Sequence, residues 1–260
     1  NWERPNLGLS EENGSKNNNR VSGPCGNVFY DPGDPDPERR FKSIFSTPGP
    51  LRKSASFSPD GLHWTRATDS DDIFGTGLEG GNIQKWGGCY YVNGQGGPSS
   101  MNRPIPHPIK QASKRLVASF ASYDFVHWTH AAAMGLRRDP IPPRAPETFE
   151  GHSGEQIHEG VATWNRGNLL LGLYGQYRSD TNDRRDVVLD LGFALSHDAL
   201  HFTEPVPDFR MVHSYEIRGP QQLRTGYAAP RLLQRNAWAN IDDRTVYWFS
   251  IWREEASTWD

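Results

Sequence analysis

Ser58-Pro59-Asp60-Gly61-Leu62-His63-Trp64-Thr65 is an eight-residue stretch that the chain uses three times. It returns without gaps as Ser122-Tyr123-Asp124-Phe125-Val126-His127-Trp128-Thr129 and as Ser196-His197-Asp198-Ala199-Leu200-His201-Phe202-Thr203. Each copy reads S-x-D-x-x-H-(aromatic)-T, with the aromatic positions 64 and 74 residues apart. Trp2, in Asn1-Trp2-Glu3-Arg4-Pro5, stands 62 residues before Trp64 and looks like the tail of an earlier copy. An Asp carboxylate readily accepts backbone N–H bonds in a tight turn. The Ser is therefore expected to end a strand, and the aromatic to begin the next one and pack inward.

Upstream of each copy lies the same order of apolar, β-branched and aromatic runs. Residues Phe41 to Ser46 and Lys53 to Ser58 precede the first copy, Cys89 to Asn93 and Arg115 to Ser122 the second, and Leu169 to Tyr174 and Val187 to Ser196 the third. One more strand leads each unit: Asn27 to Tyr30, Asn82 to Trp86, and Gly160 to Trp164. Four strands per unit make one propeller blade, so the repeat predicts an all-β fold, a β-propeller with four-stranded antiparallel blades. A further set begins near Ala228 to Leu233 and continues through Thr245 to Trp252. The inventory over residues 1–260, read as one domain, is an outer strand, three whole blades and at least two strands of another. Strands are expected to be missing at one or both ends. No segment reads as a long amphipathic helix. The connections Asp31 to Pro37, Gly94 to Pro108, Arg138 to Pro146 and Ser179 to Arg185 are rich in Pro, Gly and Asp, and long loops of this kind often carry function.

Composition narrows the partners. The formal net charge is -3, which argues against a nucleic-acid partner. The mean hydropathy is -0.74 and no stretch is apolar enough to span a bilayer, so no membrane partner is expected. No apolar run reads as a signal peptide. Of 28 basic residues 22 are Arg, whose planar fork suits carboxylates, sulfates and paired hydroxyls. Nine Trp and nine Tyr add flat stacking faces. This combination suits a carbohydrate. Cys25 and Cys89 could form one disulfide, but free buried thiols on strands are the expected state, and no zinc pattern exists.

In a propeller the first strand of each blade lines the central channel, and polar residues at the start of those strands converge on the axis. This selects Asn27 and Asp31 around the first inner strand, Glu79 and Asn82 at the second, and Glu155, His158 and Glu159 at the third. Glycoside hydrolysis needs two carboxyl groups across the sugar bond, and a third often tunes the acid. Asp31, Glu79 and Glu155 supply one acid from each of three neighbouring units, and His158 is a candidate general acid or substrate donor. Glu79 or Glu155 is expected as the acid and Asp31 as the base or stabiliser. Asn82, Gln95, Arg103, Glu159 and Trp164 are the expected substrate contacts, with Tyr174 a further candidate for stacking or hydroxyl contact and Arg138, in Arg138-Asp139-Pro140, a weaker candidate to stabilise a cationic transition state.

A family resemblance joins these readings. Phe29-Tyr30-Asp31-Pro32, followed by Arg39-Arg40-Phe41-Lys42, and the Ser-Pro-Asp-Gly-x-x-Trp turn resemble the five-bladed β-propeller glycoside hydrolases, the superfamily of families 32, 43, 62, 68 and 117. The opening Trp2-Glu3-Arg4-Pro5-Asn6-Leu7-Gly8-Leu9, with Gly14-Ser15-Lys16-Asn17-Asn18, resembles bacterial members labelled family-32-like. The resemblance covers nearly the whole chain. It implies five blades, an active site at one mouth of the channel, and an Asp base, a second Asp and a Glu acid on successive blades. In family 117 a His takes the acid role, which His158 matches. The chain starts after the place where the first blade brings the usual base, and it lacks the Glu-Cys pair typical of family 32. The resemblance also implies a secreted or periplasmic protein, no organic cofactor, and in some family 43 relatives a channel calcium for which no ligand spacing is present here. The expected activity is an inverting O-glycosyl hydrolase acting on a plant or algal poly- or oligosaccharide. The competing expectation is a non-catalytic carbohydrate-binding or protein-interaction propeller.

Overall fold

A computed structural model describes residues 3–48, 52–68, 70, 73–74, 78–96, 115–129, 133–138, 154–179, 188–213, 232–241 and 244–252. Strands β1 (Asn27–Tyr30), β2 (Phe41–Ser46), β3 (Lys53–Ser58) and β4 (Thr65–Arg66) form one antiparallel sheet in chain order. Strands β5 (Glu79–Trp86), β6 (Cys89–Gly96), β7 (Leu116–Ser122) and β8 (Ala133–Leu136) form a second. Strands β9 (Gly154–Asn165), β10 (Leu170–Ser179), β11 (Val188–Ser196) and β12 (Arg210–Val212) form a third of the same pattern.

The repeated turn explains why each unit folds alike. Ser58, Ser122 and Ser196 end β3, β7 and β11, and each Oγ accepts from the backbone N–H of the residue three positions on, at 2.9 Å. The Asp then accepts from the N–H groups of the two residues that close the turn, Leu62 and His63 in the first copy, at 2.8 and 2.9 Å. Its second carboxylate oxygen holds the His ring, at 2.7, 2.6 and 2.7 Å in the three copies. The His was legible in the repeat but its role was not; it locks the Asp that shapes the turn. These bonds pull the Asp198 carboxyl down to about 2, against the burial that raises it.

The motif aromatics pack inward as expected: Trp64, Trp128 and Phe202 are 6%, 7% and 4% exposed. Only in the first copy does a strand follow at once. β8 starts at Ala133, and Phe202 donates its backbone N–H to Gly135 O on the neighbouring sheet before β12 begins at Arg210.

The sheets stack face to face. Between the first and second lie Ile44, Ala55, Phe74, Leu78, Tyr90, Val92, Leu116, Ala118, Phe120, Phe125 and Trp128. Between the second and third lie Val117, Leu136, Ile157, Val161, Tyr174, Ala194 and Phe202. Along β7, Leu116, Ala118 and Phe120 face one neighbour and Val117 the other. A strand buried on both faces reads as an unbroken apolar run, which is why Leu-Val-Ala-Ser-Phe shows no polar alternation. Four-stranded antiparallel sheets packed in series are the blades of a β-propeller.

The last two strands depart from the expected separate blade. Strands β13 (Leu232–Ile241) and β14 (Arg244–Trp252) pair with each other, and β13 joins β11 in parallel at Leu189↔Leu232. Strand β12 covers β11 only at Leu191 and Gly192, so the start of β11 keeps an open edge that β13 takes up. Both cysteines are free; Cys89 is buried on β6, whereas Cys25 lies half-buried before β1 rather than on a strand.

Candidate functional site

The N-terminal ends of β5 and β9 meet at Gln95, and the C-terminal end of β1 meets the C-terminal end of β5. Strand β5 starts at Glu79 and β9 at Gly154, three and six residues earlier than the apolar pattern indicated. Each carries a bulge: the β5–β6 register shifts between Glu79 and Asn82, and the β9–β10 register steps from Val161 to His158 opposite Tyr174 and Gly175. Glu159 and Gly160 form the β9 bulge, with φ of 61° and 79°. The left-handed region suits Gly160 and is uncommon for a Glu, and strained positions of this kind cluster at functional sites.

The bulge is fixed by close approach. A Cβ on Gly160 would come within 2.7 Å of Gly94 Cα, so the backbones of β9 and β6 touch there. Asn93 Oδ1 accepts from Val161 N at 2.7 Å, just past the bulge.

Gln95, near the end of β6, ties the acids together. Its Nε2 donates to Glu79 Oε2 at 2.5 Å. Its Oε1 accepts from Glu159 N at 3.3 Å and faces His158 Nδ1 at 3.2 Å. Because the amide nitrogen is committed to Glu79, Oε1 must accept, and His158 carries its proton on Nδ1. The other ring nitrogen, Nε2, then faces Glu159 Oε1 at 3.9 Å. Two hydrogen bonds through one amide hold His158 Nδ1 no more than about 8 Å from Glu79 Oε2, a limit that admits both the shorter retaining and the longer inverting separation of glycosidases.

His158 is 9% exposed, and its ring packs 6.4 Å from that of Tyr177, which lies under the Arg115 guanidinium at 4.9 Å. Lys53, reaching over from β3, feels the Glu79 charge, which opposes the lowering of its pKa by burial. Lys53, Arg115 and Tyr177 carry no sequence signal for this site; they arrive by the stacking of sheets.

Asp31 is not among these groups. It follows the C-terminal end of β1 and is 5% exposed, where its Oδ2 accepts from Lys85 Nζ at 2.7 Å and Tyr90 OH at 2.6 Å. Lys85 and Tyr90 are paired at the end of the β5–β6 ladder opposite to Glu79 and Gln95. Six residues of strand separate Lys85 from Glu79, roughly 17–20 Å. The three expected acids therefore do not share one mouth. Burial alone would raise the Asp31 pKa; the Lys85 and Tyr90 bonds and the charges of Lys85 and Lys42 bring it below its usual value.

Glu155 sits on β9 with Arg178 as its Cα partner. Strand alternation puts it on the Ile157 face and His158 on the other, so these two do not converge. Asn82 Nδ2 donates to Thr163 Oγ1 and joins β5 to β9. Trp164, near the far end of β9, lies under the Arg166 guanidinium at 4.4 Å, remote from Gln95. Tyr174 is fully buried and donates to Glu204, beside Arg138. Asn27 is exposed at the start of β1. Arg103 lies outside the described residues. Among the described residues no three His, Cys, Asp or Glu side chains converge as a metal site, and no helix is long and apolar enough to cross a membrane.

No family model matches the sequence, and no curated protein matches it. Solved structures do. A β-1,2-mannobiose phosphorylase from Listeria innocua, seen in complex with β-1,2-mannobiose, is 14% identical over 89% of this chain and 54% of its own, with a TM-score of 0.48. A thermostable family-43 glycoside hydrolase is 12% identical over 82% of this chain and 59% of its own, with a TM-score of 0.46. Sucrose-6-phosphate hydrolase from Lactobacillus gasseri is 18% identical over 74% and 36%, with a TM-score of 0.40. The chain spans little more than half the length of the first two.

Proposed function

We propose that this protein is a glycoside hydrolase that cleaves a glycosidic bond of a plant or algal poly- or oligosaccharide at the N-terminal ends of β5 and β9. The observation that carries this reading is the bridge Glu79–Gln95–His158–Glu159, which draws two carboxylates and an imidazole from adjacent inner strands to one mouth. Gln95 donates to the Glu79 carboxylate and so orients it. Glu79 acts as the base that takes a proton from the attacking water. His158, protonated on both ring nitrogens beside the Glu159 carboxylate, gives its Nε2 proton to the leaving glycosidic oxygen and is left neutral, with its remaining proton on Nδ1 toward Gln95. Water attacks from the Glu79 side while the leaving group departs on the His158 side, so the configuration at the anomeric carbon is inverted.

The test is a panel of plant and algal glycans offered to the wild type and to Glu79→Gln and His158→Ala. Turnover is expected from the wild type and a loss of roughly 10²–10⁴-fold from each variant, at unchanged melting temperature. Proton NMR of the first product reads its anomeric form; an anomer opposite to the substrate's supports inversion. Glycan binding with no turnover in the wild type selects the non-catalytic binding propeller instead.

A further inference from the structure

The Glu159–Gly160 bulge is held from the side of β9 that faces away from β10. Strand β9 is the last of its sheet, and its β10 register passes from His158 to Val161 with no Cα partner for the two residues between. Backbone N–H groups on this side lie outside the β10 ladder, and a buried one left unpaired is costly. Two side chains of β6 take them. Gln95 Oε1 accepts from Glu159 N at 3.3 Å, and Asn93 Oδ1 accepts from Val161 N at 2.7 Å. The acceptors stand two residues apart on one face of β6. The donors stand two residues apart on β9, in the opposite order along the chain. Side-chain amides thus do for the bulge what an antiparallel ladder does for a regular strand.

The two amides divide the work by reach. Asn93 is 1% exposed and bonds where the backbones touch, with its Oδ1 2.9 Å from where a Cβ on Gly160 would stand. Gln95 is one methylene longer and also meets Glu79 and His158. Val161 N–H can only donate, so the carbonyl end of Asn93 faces it. Without that acceptor the N–H is buried and unpaired, and the left-handed backbone at Glu159 and Gly160 loses a tie that holds it. We infer that Asn93 is a positioning residue of the site: by accepting from Val161 N it fixes the bulge that brings Glu159 and His158 onto Gln95, and its effect on turnover rests on the hydrolase reading. Its action passes through the β9 backbone. Asn82, the Cα partner of Asn93, makes the neighbouring tie to β9 through Thr163 Oγ1, two residues beyond Val161, and that bond is a built-in control.

The experiment compares the whole chain as wild type, Asn93→Leu, Asn93→Asp and Thr163→Val. Leu keeps the size of Asn without an acceptor, Asp keeps an acceptor oxygen in place, and Thr163→Val removes only the neighbouring tie. Nitrogen-15 NMR of the His158 ring, at a pH where it is neutral, reads which nitrogen carries the proton and needs no substrate. The wild type and Thr163→Val are expected to show the proton on Nδ1, toward Gln95. Asn93→Leu is expected to lose that preference, and Asn93→Asp to keep it. With the glycan that the wild type turns over, Asn93→Leu is expected to lose roughly a hundredfold in kcat at little change in KM, and Asn93→Asp to recover most of it. Should Asn93→Leu not fold, Asn93→Ser withdraws the acceptor without adding an apolar group, and slow exchange of the Val161 amide in the wild type tests the bond itself. A wild-type ring without the Nδ1 preference, a fast-exchanging Val161 amide, an unchanged Asn93→Leu, or an equal loss in Thr163→Val overturns the positioning role. A tautomer that follows Asn93 in a protein that turns over no glycan keeps the positioning role and removes the hydrolase reading; turnover that ignores Asn93, with an unchanged tautomer, does the reverse.

Discussion

At the fourth position of the repeated turn stand Gly61, Phe125 and Ala199, with φ of 77°, 69° and 63°. The Ser and Asp bonds force this left-handed backbone in all three copies, whatever residue occupies it. Gly61 meets the demand without strain. Phe125 does not, but its ring is wholly buried against Tyr90, Phe57 and Trp128, and that burial outweighs about 1 kcal/mol of backbone strain. Two substitutions separate the effects. Gly61→Ala is expected to cost about 1–2 kcal/mol, since it adds strain and sets a Cβ 3.3 Å from Phe41 Cε1. Phe125→Ala is expected to cost about 3–5 kcal/mol through the cavity. Urea midpoints at unchanged slope measure both; equal costs would show that the ring does not offset the strain.

The strands were legible where they alternate and were missed where they bulge. Asn27–Tyr30, Phe41–Ser46 and Lys53–Ser58 appear as read, because apolar period and turn residues agree there. The first residues of β5 and β9 went unread because Gly80-Gly81 carries no side-chain signal and the Glu159–Gly160 bulge breaks the alternation of β9. Those two interruptions are what place the candidate acids. Gly160→Ala is therefore expected to do two things: lower stability by about 2–4 kcal/mol, through φ and the clash with Gly94, and reduce turnover by moving Glu159 and His158 away from Gln95. Thermal denaturation and kcat on the same samples check this; a stable variant of normal activity would dissociate the bulge from the site.

Between the first two sheets the fold buries charge as well as aromatics. Asp31 accepts from Lys85 and Tyr90 of the second sheet, and fully buried Lys42 donates to Asp34 at 2.5 Å within the first. Asp31→Asn is expected to cost about 1–3 kcal/mol, because it weakens a charge-assisted bond to each partner, and to leave turnover unchanged. The sign of its pH dependence follows from the lowered Asp31 pKa. The contribution is present above the ordinary carboxylate value near 3.8 and is lost as pH falls below that value through the folded one. Denaturation of wild type and Asp31→Asn from pH 6 to pH 2 should therefore converge at the acid end. Curves that stay parallel, or a hundredfold loss of turnover, would return Asp31 to the catalytic set.

Local chemistry settled the blades. The S-x-D-x-x-H-(aromatic)-T turn closes on bonds spanning two or three residues, and the strand faces follow from a period of two, so sequence alone determined the repeat, the all-β architecture and the inward aromatics. The mouth at which each acid stands was decided only by tertiary structure. Gln95 meets His158 across 63 residues of chain and Asp31 meets Tyr90 across 59. Those meetings depend on strand register, on two bulges and on how far each inner strand extends before its blade turns. One residue of register sends a side chain to the opposite face, and one strand length sends it to the opposite end of the sheet.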